Sequence, residues 1–183
     1  MTKKTIMLFA EGFEEVEALT VVDLLRRAEI GCDMVSLAKT DTVTGSHGIG
    51  VRVQGSLDSA DLSGYDAILL PGGMPGTKNL AEDERVLKAL QSFRAAGKLT
   101  AAICAAPTVL AKAKILDGLH AVCYPGMEDQ LTGSVGGDGA VVVDGSVITS
   151  RGLGTAIPFA LAIVEYFSGA EKAEQLAKAV VYR

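Results

Sequence analysis

The 183-residue sequence has few of the groups from which metal, disulfide or nucleic-acid sites are built. There are three cysteines, Cys32, Cys104 and Cys123, and an odd number cannot all pair within one chain. Their spacing fits neither a zinc site nor a disulfide framework, so the expectation is no metal and free thiols in a cytoplasmic protein. Only two histidines occur, His47 and His120, and each reads first as a solvated side chain. Basic residues are outnumbered, 17 against 22 acidic ones, for a formal charge of −5. With no basic cluster either, nucleic acid is not an expected partner. No apolar run approaches the roughly 18 to 20 residues of a membrane span. Residues 6–10 are too short an apolar run for a leader, and Glu11, Glu14, Glu15 and Glu17 follow at once, so a first strand is expected there. Repeats, linkers and low-complexity segments are also missing, which leaves a single domain over residues 1–183.

What is present is a sequence 49% apolar, enough for a substantial core. Residues 5–10 read as a buried strand. Residues 14–28 read as a helix, with Val21, Leu24, Leu25 and Ala28 at helical spacing. Strands follow at 32–38 and 65–70, with a hairpin at 42–53. An amphipathic helix spans 83–96, with Val86, Leu87, Leu90 and Phe93 as its stripe and Gly97 as its stop. Residues 98–104 run as a strand into a helix at 108–112, and 121–125 reads as a further strand. Asp144-Gly145 marks a hairpin between 141–143 and 147–149. Helices at 156–167 and 171–180 close the sequence. Strands alternating with helices predict a doubly wound α/β sandwich.

In such a sheet ligands bind beyond the carboxyl ends of the strands. Ala101-Ala102-Ile103-Cys104-Ala105-Ala106-Pro107 puts one cysteine there, on a sharp strand-to-helix turn. Unpaired backbone N–H groups and the helix dipole would favour a thiolate. A lone cysteine in an apolar segment is equally at home as a small core residue. Glu17 lies four residues before Val21, at the end of the stripe that faces the sheet; Glu14 and Glu15 lack that alignment. Either the first-turn acids merely complement the helix dipole, or Glu17 is buried beside the thiol with a raised pKa. Gly72 and Gly73 follow a strand, where glycines let N–H groups approach a ligand. They serve as a plain turn, or the Gly73 N–H pairs with that of Ala105 as an oxyanion hole. The Walker lysine and spacing are missing, so the loop is not a phosphate loop. Cys123 and Tyr124 point to opposite faces, so only one looks into the crevice. Arg151, entering a helix N-terminus, calls for an ion pair or an anion site. His47 sits in a hairpin loop.

The sequence resembles the ThiJ/PfpI superfamily, in its parkinsonism-associated DJ-one branch. Glu14-Glu15-Val16-Glu17, Leu70-Pro71-Gly72-Gly73, the Cys104 elbow, residues 149–155 and residues 159–165 carry the likeness, in order and over most of the sequence. The resemblance implies a flavodoxin-like sandwich of the class I glutamine amidotransferase type, with a mostly parallel sheet and helices on both faces. It also implies a homodimer, no cofactor, an oxidation-prone nucleophile at Cys104, a protonated Glu17 bonded to it, and oxyanion donors on Gly73 and Ala105. The function implied is detoxification of small aldehydes or glycated groups, as a glyoxalase or deglycase. The alternative is a redox-sensing stress protein or chaperone switched by oxidation of Cys104. Tyr124 stands where the branch commonly has histidine, and His47 where it often has arginine. Ala105 replaces the histidine of the peptidase-like branch, which argues against a peptidase. Tyr124, Gly72, Arg151 and His47 are therefore accessory candidates.

Overall fold

The computed structural model describes residues 3–182. Its main sheet is built from β1 (Lys4–Phe9), β2 (Gly31–Ser36), β5 (Gly55–Ser56), β6 (Ala67–Leu70), β7 (Leu99–Ile103), β8 (Val141–Asp144) and β9 (Val147–Ser150), in the order β5-β2-β1-β6-β7-β9-β8. All neighbours run parallel except β8 against β9. β3 (Thr42–Thr44) and β4 (Gly50–Arg52) form the separate antiparallel hairpin expected from the sequence. Every residue of β6 and β7 is buried, because helices cover both faces of a parallel sheet.

The helices divide the core into two layers. On one face α1 (Glu15–Arg27), α5 (Ala156–Ser168) and α6 (Ala170–Ala179) pack over Met7, Phe9, Leu69 and Ile148. On the other, α2 (Gly76–Glu82), α3 (Glu84–Ala95) and α4 (Pro107–Lys112) lie near Ile6, Leu8, Ile68 and Leu70. α3 begins where Asp83 accepts the Arg85 N–H at 2.9 Å, an N-cap that satisfies one of the helix's free donors. Its Val86, Leu90 and Phe93 are at most 2% exposed, each worth roughly 1.5–3 kcal/mol of burial. The architecture is the flavodoxin-like α/β sandwich, and strand order reverses between β1 and β6, which opens the crevice at their carboxyl ends.

One expected element is not formed. Residues 121–125 are not a strand. Their N–H groups go one each to the Gly136 carbonyl, the Thr149 hydroxyl and the Cys104 carbonyl, so no neighbouring ladder forms. The apolar alternation is nevertheless real, since Cys123 is buried and Tyr124 is 52% exposed. Glu15, which lacks alignment with the apolar stripe, is only 3% exposed, covered by the hairpin loop rather than the sheet.

Candidate active site

Three segments meet at the crevice: the first turn of α1, the glycine turn after β6 and the elbow after β7. At the elbow Cys104 takes φ +66°, a left-handed conformation that costs a non-glycine residue roughly 1–3 kcal/mol. Two backbone hydrogen bonds hold it there. Its N–H donates to Ser150 at the end of β9 (2.9 Å), and its carbonyl accepts from Tyr124 (2.7 Å). Ala105 and Ala106 are small enough to let α4 start at once, with Pro107 at its first position.

The Glu17 side chain is 1% exposed and its carboxyl group is hydrogen-bonded to the Cys104 thiol. Glu17 Oε2 also accepts the Gly72 N–H at 3.0 Å. The glycine turn has no room for side chains. A Cβ on Gly72 would stand 2.6 Å from both Glu17 Oε2 and Cys104 Cβ, and one on Gly73 (φ +93°) would stand 2.3 Å from the Glu14 nitrogen. This close approach leaves the Gly73 N–H, with that of Ala105, bonded to the Cys104 sulfur.

Burial pushes Glu17 up to about 7, helped by the nearby Glu14 charge and opposed by the hydrogen bonds from Cys104 and Gly72. Burial also pushes the Cys104 thiol up to about 12, and the Glu17 charge adds to the rise; the Ala105 and Gly73 N–H groups pull the other way. The expectation that the helix N-terminus favours a thiolate is thus corrected. α4 is six residues long and starts beyond the cysteine, so its dipole does not offset desolvation beside a carboxylate. The two groups titrate as a pair. A proton moved from sulfur to Glu17 removes the opposing charge and turns the carboxyl into a donor toward the sulfur.

The accessory candidates separate. Tyr124 reaches the pocket: its ring lies 3.5 Å from where a Gly152 Cβ would be, and that point is 4.0 Å from both Cys104 Sγ and Glu17 Oε1. Arg151 has no ion pair among the described residues, so of the two roles open to it, an ion pair or an anion site, the first is not formed. It lines a cavity of about 400 Å³ with Cys123, Glu128 and Asp138, and its charge acts on Cys123. His47 is away from the thiol and bonded to Glu15, Nδ1 to Oε2 at 3.0 Å and N–H to Oε1 at 2.8 Å. Burial disfavours the Glu15 carboxylate, but the His47 side chain and the His47 and Ile49 N–H groups outweigh it and bring its pKa to about 2. Glu14, Glu15 and His47 hold oxygen and nitrogen atoms within 4.8 Å of one another, a spacing a cation could use, but Ser46 Oγ and these hydrogen bonds already occupy them. Gly152, where a Cβ would stand 4.0 Å from the sulfur, is the one the sequence reading passes over. Its signal was the absence of a side chain next to Arg151.

The sequence matches the DJ-1/PfpI family over residues 3–166. It is 39% identical over 183 residues to protein dj-1beta of Drosophila melanogaster, covering 99% of this chain and 98% of that one. It is 35% identical over 177 residues to the glutathione-independent glyoxalase DJR-1.2 of Caenorhabditis elegans, covering 94% and 92%. Among solved structures, oxidized Toxoplasma gondii DJ-1 superposes with a TM-score of 0.94 at 35% identity, covering 98% of both chains.

Proposed function

Because this chain belongs to the DJ-1/PfpI family, we propose that it is a cysteine-dependent, cofactor-free enzyme of carbonyl stress protection. Its substrates are small 2-oxoaldehydes, converted as by a glyoxalase, or early glycation adducts, hydrolysed as by a deglycase. The observation that carries this reading is the buried Glu17–Cys104 pair facing two backbone N–H groups. A base with a pKa of about 7 is suited to moving protons at neutral pH. It has given up its own proton above that pH and can take the one on sulfur.

The chemistry then needs only this chain. Cys104 Sγ adds to the aldehyde carbon while the thiol proton passes to Glu17, and the oxygen gains a negative charge where the Gly73 and Ala105 N–H groups stand. Glu17 protonates that oxygen, removes the proton from the former aldehyde carbon and returns it to the neighbouring carbon, while the new hydroxyl gives up its proton and the neighbouring carbonyl oxygen takes one. The first carbon is thereby oxidised to a thioester and the second reduced to an alcohol. Water cleaves the thioester, releasing a 2-hydroxy acid and the free thiol. With Tyr124 in place of histidine, Glu17 is left to carry the proton transfers alone, so turnover is expected to be slow. We read the working form as a cytoplasmic homodimer with free thiols.

Methylglyoxal consumption by metal-free protein tests this, with product followed by NMR. Lactate should form catalytically in the wild type and be lost in Cys104→Ser and Glu17→Gln. An unchanged rate in Cys104→Ser would sink the mechanism. A second reading is favoured by the same donors, which suit a sulfinate on Cys104 held by protonated Glu17. Here the protein senses oxidants and changes partners or holdase activity. Selective gain of two oxygen atoms at Cys104 under mild peroxide, with stoichiometric aldehyde loss and no lactate, would favour it.

A further inference from the structure

The hydrogen-bonding groups around Cys104 account for one substrate oxygen and one proton relay, and leave the substituent on the carbonyl unaddressed. Beyond Gly152 a cleft of about 540 Å³ opens, lined by Tyr124, Pro125, Ala140 and Leu153, with Arg151 and Asp138 as its charged members. Tyr124 and Leu153 are large side chains left 52% and 51% exposed on this cleft, which Gly152 joins to the reacting sulfur. The Tyr124 backbone is fixed, its N–H on the Cys104 carbonyl and its own carbonyl accepting from Met127 at 3.1 Å. Its hydroxyl has no hydrogen-bond partner among the described residues. From this anchored backbone the ring reaches the space beside Gly152 that adjoins the sulfur, offering a face and no committed polar group.

We propose that Tyr124 and Leu153 form an apolar subsite that selects 2-oxoaldehydes with branched alkyl tails over methylglyoxal, Tyr124 acting through its ring and not its hydroxyl. This rests on the carbonyl reading above. Adding Sγ to the aldehyde carbon at Cys104 leaves the tail to extend past Gly152, where no side chain intervenes, and onto the ring. Burying two or three extra methyl or methylene groups in such a site gives about a tenfold or greater preference.

The test compares kcat and KM for methylglyoxal and isobutylglyoxal in the wild type, Tyr124→Phe, Tyr124→Ala and Leu153→Ser. The wild type should favour isobutylglyoxal by about tenfold in kcat/KM. Tyr124→Phe should keep that ratio. Tyr124→Ala and Leu153→Ser should raise KM for isobutylglyoxal about tenfold more than for methylglyoxal, the mark of lost tail binding. No preference in the wild type, or a Tyr124→Phe enzyme behaving like Tyr124→Ala, overturns the subsite. A binding arm separates this from failure of the enzyme reading: protection of Cys104 from iodoacetamide by isovaleraldehyde or acetaldehyde, which needs only reversible addition of the thiol. Stronger protection by isovaleraldehyde, lost in Tyr124→Ala, upholds the subsite even if no 2-oxoaldehyde is turned over. Equal protection by the two aldehydes refutes it.

Discussion

Gly72 shows how little tolerance the pair has at the scale of single residues. Alanine there would push a methyl group to 2.6 Å from Glu17 Oε2 and Cys104 Cβ, so one of the two must move. Overpacking of this kind costs roughly 1–3 kcal/mol, yet displacing a reacting group by an ångström costs far more in rate. Gly72→Ala should remain folded, with a melting temperature a few degrees lower, and lose about a hundredfold in methylglyoxal turnover. Full activity in that variant would mean the pair is not held as described. Glu17 carries the opposite trade. Its pKa is 4.5 in an ordinary setting and about 7 in the fold. Below pH 4.5 both states are protonated and nothing is gained or lost. Between the two values the unfolded chain ionises first, and above pH 7 the whole difference, about 3 kcal/mol, opposes folding. Glu17→Gln should thus match the wild type in urea unfolding at pH 4 and exceed it at pH 8, while losing activity. An equal gain at both pH values would assign the effect to packing instead of charge. The cysteine and the glutamate were legible in the sequence because each stands at the end of a recognisable element. The direction of the thiol's pKa was not, because it depends on a carboxylate 87 residues earlier in the chain (104 − 17) that the fold buries beside it.

Among the elements, β1, β6 and β7 were readable as continuous apolar runs closed by glycine or by the elbow, since burial on both faces removes any need for alternation. α2 was not, because its seven residues show too little apolar periodicity to stand out from a turn. Residues 121–125 misled for the converse reason: the alternation is there, but the hydrogen-bond partners are a loop carbonyl, a threonine hydroxyl and the elbow. The hairpin of β3 and β4 was legible, but its anchor was not. It is tied to the start of α1 by Gly12 N–H to Thr44 and Ser46 N–H to Phe13, both 2.8 Å, and by Glu15 gripping His47. The hydrogen bond to Glu15 raises the His47 pKa, with the charges of Glu14 and Glu15 adding to it. A histidine raised on folding stabilises the hairpin fully below its unfolded value of 6.5, and that contribution disappears as pH rises through its folded value. Amide exchange at residues 45–49, corrected for intrinsic rates, should therefore show more protection at pH 6 than at pH 9. His47→Ala should abolish the difference; a pH-independent pattern in the wild type would show that backbone contacts alone hold the loop.

Over the whole molecule, that same corner bears on assembly. Val16 is 47% exposed and Ile49 55%, and both lie against Glu15, Val16 as its neighbour in α1 and Ile49 through an N–H at 3.4 Å. No helix among the described residues is long and apolar enough to cross a membrane. A second copy would meet the patch across a twofold axis, each Val16 and Ile49 serving both partners, within an interface of about 800 Å² per chain. Sedimentation equilibrium at micromolar concentration should then give twice the 18.9 kDa of one chain. The double variant Val16→Lys, Ile49→Lys should sediment as a monomer with unchanged far-ultraviolet circular dichroism. A wild-type protein that sediments as a monomer ends the homodimer proposal. Glu17, Gly72, Gly73, Cys104 and Ala105 all come from one chain, so the paired carboxyl and thiol persist in the monomer. Cys104 alkylation should accordingly follow the same pH dependence in the double variant as in the wild type. A changed profile would mean that a partner chain adds a charge to the site that one chain lacks.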